Sequence, residues 1–144
     1  MLSSRWPPIA SLLPHTGAMI MPQEILHFDP LRLTCSTCRH RAADNPLRCN
    51  GRLAALAGIE FAAQAMALHG AMRRSPPAAL RHGRLVSVRD VAIARPFLDD
   101  VEAPLIIECV LQVASADVFA YDFSVGAASG EPMVHGRATV MMAD

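Results

Sequence analysis

The chain has no surplus of charge of either sign, no long apolar run, few cysteines and not one lysine. Acidic and basic residues balance at 13 each, so no one-signed field exists to steer nucleic acid or an anionic membrane, and neither is expected as a partner. The missing lysines leave 13 arginines, which reads as codon bias in a GC-rich genome rather than as a set of bidentate anion sites. Nowhere do apolar residues run unbroken for the roughly 20 positions of a membrane span, and prolines interrupt MLSSRWPPIASLLPH before a signal-peptide core forms. A soluble cytoplasmic protein is expected. Four cysteines in 144 residues are too few for a disulfide scaffold, so reduced thiols are expected. Glycine-rich phosphate loops and nucleophile elbows are also missing.

What is present suits one core, and residues 1–144 are read as one domain, 52% hydrophobic and 18% charged. Residues 18–28 and 31–39 carry apolar and β-branched runs joined at Asp29-Pro30, which predicts a hairpin. Residues 41–51 (RAADNPLRCNG) have no periodicity and form a connection of the kind that often carries function. From about 53 to 72 good helix formers are apolar on nearly every face, as a helix enclosed by other structure must be; Arg73, Arg74 and Pro76-Pro77 end it. Four further strands are predicted at 84–94, 104–114, 117–126 and 133–142. The class is α+β, an antiparallel sheet of five to six strands wrapped around one long helix.

Within that helix Glu60 and Gln64 stand one turn apart in GIEFAAQAMALHG. A buried carboxylate costs several kcal/mol unless it is paired, so Glu60 is the first functional candidate; the structural alternative is an acid held by an arginine. A carboxyl group in apolar surroundings resists ionisation and can serve as an acid. On the same face Leu53, Ala67 and Ala71 either line a tunnel or simply pack.

LLPHTGAMIMPQEILHFDP and GIEFAAQA, with Arg95-Pro96 before a long strand, resemble the 3-hydroxyacyl-acyl-carrier-protein dehydratases of fatty acid synthesis. The resemblance spans nearly the whole chain, and is strongest to dehydratase-like proteins of aryl-polyene and related polyketide clusters. It implies the hotdog fold, catalytic roles for Glu60 and a histidine, and Gln64 orienting Glu60 or the substrate. Typical members carry the histidine in a loop before the helix, where counting back from Glu60 lands on Pro46. His15, in a Leu-Pro-His setting that recurs in the family, is the preferred replacement, against a bland edge histidine; His40, flanked by Arg39 and Arg41, is read as solvated. Asn45 is a substrate-binding candidate where the missing histidine would stand, although Asp-Asn-Pro is first an ordinary turn. Typical members open the helix with Pro-Gly; here Leu53-Ala54-Ala55 stands there and Gly58 is the remaining glycine, taken as substrate-binding.

Cys35, Cys38, His40 and Cys49 have the residue types of a zinc site, but in a strand Cys35 and Cys38 point to opposite faces, and no metal or cofactor is expected. His27, His82, His135 and His69, the last on the helix face opposite Glu60, are assigned no role, and the eight methionines are read as core fillers. The expected activity is dehydration of a 3-hydroxyacyl thioester on acyl carrier protein or coenzyme A. Thioester hydrolysis is the enzymatic alternative, and a catalytically impaired partner subunit the non-enzymatic one. A homodimer, or a heterodimer with another hotdog protein, is expected to cover the sheet edge. Arg73, Arg74, Arg81 and Arg84 are candidates to receive an acidic carrier.

Overall fold

Strand formation begins with a side chain that closes its own turn. The computed structural model describes residues 5–143, in which β1 (Glu24–Asp29) and β2 (Arg32–Thr37) pair as a hairpin. Asp29 Oδ1 accepts the backbone N–H groups of Leu31 and Arg32 at 2.8 and 2.9 Å, an Asx turn that fixes the hairpin register. After helix α1 (Gly58–Met72) come β3 (His82–Ile93), β4 (Leu105–Ser115), β5 (Val118–Ala127) and β6 (Val134–Ala143). All six strands join one sheet in the order β1-β2-β4-β5-β6-β3, with every neighbouring pair antiparallel.

The sheet wraps α1, which packs against β2, β4, β5 and β6. Phe61, Ala62, Ala65, Met66, Leu68 and Ala71 are buried in that contact. Gly58 marks its tightest point, since a Cβ there would lie 2.6 Å from a Val134 methyl. This is the hotdog arrangement that the resemblance implies. No helix among the described residues is long and apolar enough to cross a membrane.

Three local expectations need correction. The first strand begins at Glu24 instead of residue 18, because Gly17–Met19 form a 3-10 turn with Gly17 at a φ of 57°, and the chain then runs extended past α1. The helix becomes α-helical only at Gly58, after a 3-10 turn at Ala55–Ala57. Tertiary bonds claim the preceding backbone: Leu53 N–H goes to Asp99 Oδ1 at 3.1 Å and Ala55 N–H to the Pro96 carbonyl at 2.7 Å.

His40 is fully buried, not solvated. In the 3-10 turn Arg39–Arg41 the two arginines lie along the surface loops, Arg39 reaching Asp44 and the Ala18 carbonyl and Arg41 the Asp99 carbonyl. The middle residue turns inward, where His40 Nε2–H donates to the Val101 carbonyl at 2.9 Å. Arg48 secures the following loop by donating to the Ala42, Gly51 and His40 carbonyls.

Candidate active site

Glu60 lies in the first turn of α1, and Gln64 one turn later shares its face. Gln64 is fully buried, and its orientation is dictated by backbone groups. Met21 N–H donates to its Oε1 at 2.8 Å, so its Nε2 must point the other way, donating to the Met19 carbonyl at 2.9 Å and to Glu60 Oε1 at 3.0 Å. Glu60 Oε1 is thus an acceptor, and any proton the carboxyl carries sits on Oε2. The same bonds strap the extended segment after Gly17 onto the helix.

The stretch just before Gly17 carries His15. Leu12 and Leu13 anchor it in the core, and His15 Nε2 comes within 3.4 Å of Glu60 Oε1. Side-chain exposures are 26% for His15 and 36% for Glu60, so the deep burial expected for the carboxylate is not found. The pair sits where a substrate can reach it. His15 Nδ1 is buried without a hydrogen-bond partner among the described residues.

Both residues open onto a cavity of about 140 Å³. Ala63 and Ala67 form its helix side, with Leu12, Met66, Leu80, Val140 and Met142 as apolar walls. His15, Glu60, Gln64 and Arg84 are its polar side chains. A space of this size, mostly apolar with a few polar groups on its walls, suits the end of an acyl group beside proton-transfer chemistry.

Of the expected site residues, the structure brings His15, Glu60 and Gln64 together, and Ala67 lines the cavity as a tunnel wall would. Leu53 and Ala71 do not; they are fully buried in the core. Asn45 is used to hold its loop, donating from Nδ2 to the Arg39 carbonyl at 2.9 Å and accepting Leu47 N–H at 2.9 Å, as its turn sequence suggested. Gly58 presses on Val134 and gives its N–H to the Ala55 carbonyl, so it is not on the cavity wall. Arg73 lies over the Phe119 ring and Arg74 donates to the Ala78 and Ala79 carbonyls, local uses that leave Arg84 as the arginine at the cavity.

Sequence reasoning assigned no role to His69, which is fully buried. Its Nε2–H donates to the Asp29 carbonyl at 3.0 Å and its Nδ1 accepts from the Tyr121 hydroxyl at 2.8 Å. Burial lowers its pKa from the ordinary histidine value, keeping it neutral. The cysteines are free; burial pushes the Cys35 thiol up to about 12 and shifts Cys109 in the same direction, which makes both inert core residues. Cys38 and Cys49 are exposed, and no group of three potential metal ligands forms among the described residues.

Comparison with solved structures gives a dehydratase heterocomplex, ApeI:P from Xenorhabdus doucetiae, at 20% identity over 97% of this chain and 93% of that one, with a TM-score of 0.85. A mutant thioesterase from Pseudomonas aeruginosa is 18% identical over 83% of this chain and 79% of that one, with a TM-score of 0.53. A hypothetical thioesterase with coenzyme A from Streptococcus pneumoniae is 13% identical over 83% and 84%, with a TM-score of 0.57. These likenesses show the hotdog fold. No curated protein matches by sequence. A family model, ApeP-like (ApeP dehydratase), matches residues 7–144, and on that match the chain belongs to the ApeP-like dehydratase family.

Proposed function

We propose that the protein dehydrates a 3-hydroxyacyl thioester to the 2-enoyl thioester, with His15 and Glu60 of one chain as its acid-base pair. The observation that carries this reading is their 3.4 Å approach beside an apolar cavity, in a chain that lacks a histidine at the usual loop position. His15 Nε2 takes the C2 proton, and Glu60 Oε2 delivers a proton to the C3 hydroxyl, which leaves as water. The proton on His15 returns to the Glu60 carboxylate through solvent, which reaches both partly exposed groups, and its arrival on Oε2 closes the cycle. Gln64 positions the carboxyl group so that Oε2 faces the substrate. A carrier-protein or coenzyme A thioester fits the open side of the cavity.

A hotdog partner belongs to the same proposal. Among the described residues strand β3 pairs only with β6 and its other edge is unpaired, with Leu85, Val86, Val91 and Ile93 exposed. Such an edge invites another strand, and the related ApeI:P structure is a heterocomplex.

The test is hydration, the reverse reaction, of an enoyl thioester on acyl carrier protein, read by mass spectrometry as gain of water for wild type and Glu60→Gln. Turnover by wild type and its loss in Glu60→Gln support the reading. Release of free acid would replace it with thioester hydrolysis. Inactivity of both, alone and with a hotdog partner added, would make the chain a non-catalytic subunit.

A further inference from the structure

Removing the C2 proton sends the electrons of the C–H bond toward the thioester carbonyl, and negative charge gathers on its oxygen before the C3 hydroxyl leaves. That oxygen needs a hydrogen-bond donor or a cation aimed at it. Backbone N–H groups leading into the helix are the obvious source, but here four of them are already spent. Leu53 N–H is given to Asp99, Ala55 N–H to Pro96, Ala57 N–H to Ala54, and Gly58 N–H to Ala55. Gln64 has no donor left, because its amide hydrogens go to Met19 and Glu60. His15 and Glu60 are engaged in moving protons.

Arg84 is the remaining polar side chain of the cavity. It projects from β3, across the cavity from α1, and makes no ion pair among the described residues. Its polar contact is a long one, Nη2 to Met141 Sδ at 3.9 Å. The guanidinium therefore keeps its donors unspent at the rim between the cavity and an open cleft lined by Arg81, His82 and Asp117. We propose that Arg84 is a catalytic residue that stabilises the enolate-like thioester oxygen. The charge that forms on oxygen when the C2–H bond breaks is held by Arg84 until the C3–O bond breaks and the carbonyl is restored, so no net charge is left behind. This inference rests on the dehydratase reading above and adds a group to it.

The experiment measures kcat and KM for enoyl-thioester hydration by wild type, Arg84→Met, Arg84→Lys and Arg84→Ala, the last with and without added guanidinium ion. Arg84 is exposed, so these variants keep the fold, which circular dichroism checks. Loss of an oxyanion donor costs roughly 100-fold or more in kcat. The expected result is such a loss in Arg84→Met with KM little changed, partial recovery in Arg84→Lys, and rescue of Arg84→Ala by guanidinium. Wild-type turnover that depends on Glu60 but survives Arg84→Met would overturn the Arg84 assignment alone. A change confined to KM would also overturn it, because Arg84 would then bind the thioester's carrier arm equally in ground and transition states. Absence of turnover in wild type would overturn both the assignment and the dehydratase reading beneath it.

Discussion

Helix α1 meets polar chemistry twice, and the two clusters are built differently. Near its start Glu60 and Gln64 meet His15; further along, His69 meets Tyr121 and the Asp29 carbonyl. His69 is fully buried with both ring nitrogens occupied, and it ties the helix to the β1-β2 turn and to β5. Phe28 and Tyr121 ring centroids, each 5.5 Å from its own, complete the enclosure. The His15 cluster stays open, with one nitrogen unpartnered and both members partly exposed beside a cavity. A cluster whose bonds all close inward contributes to stability, whereas one that keeps unused donors and acceptors at a cavity can use them on a substrate.

The sharpest way to separate the two is to remove each histidine. His15→Gln is expected to lower kcat by about 100-fold to 10,000-fold, the range for a general acid or base, with the urea midpoint nearly unchanged. His69→Leu should do the reverse. It leaves the Tyr121 hydroxyl and the Asp29 carbonyl buried without a partner, at about 1–3 kcal/mol each, and leaves kcat of the folded fraction intact. If His69→Leu abolished turnover without loss of stability, the division between the clusters would fail.

Gln64 tests whether the first cluster is also structural. Gln64→Leu should cost about 1–3 kcal/mol by stranding Met21 N–H and the Met19 carbonyl, and should lower kcat as well because it releases Glu60. Denaturation and kinetics on the same preparation check both. An effect on only one of them would show that the strap and the site are independent.

The smallest expected effect is in the response to pH. Burial holds His69 and His40 below the ordinary histidine value of 6.5. As pH falls through 6.5 the unfolded chain takes up protons that the folded chain refuses, so stability present above that pH is progressively lost below it, until the folded histidines themselves protonate. Urea titrations at several pH values should show this slope, reduced in His69→Gln.

Element order was readable because Gly, Pro and Asp punctuate the apolar runs; the last three predicted strands lie within one residue of those observed, and β3 within two. His15, Glu60 and Gln64 were readable from an isolated polar pair and a family resemblance. What failed depended on contacts distant in sequence. His40 looked solvated between two arginines, and only the 3-10 turn, together with the Val101 carbonyl brought to it by the fold, makes it a core residue. His69 had no partner in the helix itself; Tyr121 reaches it from β5. Gly58 carried the right residue type for substrate binding, but its side of the helix is taken by Val134. Arg84 was read as a candidate to receive an acidic carrier, and its place at the cavity follows from the position of β3 across from α1.

The central claim is that His15 and Glu60 act as one unit. A double-mutant cycle in kcat for enoyl-thioester hydration, using His15→Gln, Glu60→Gln and the pair together, tests it most directly. Residues acting as a unit are strongly non-additive, so the double variant should be no slower than the worse single variant by more than a few-fold. Losses that multiply across the two substitutions would contradict the pairing.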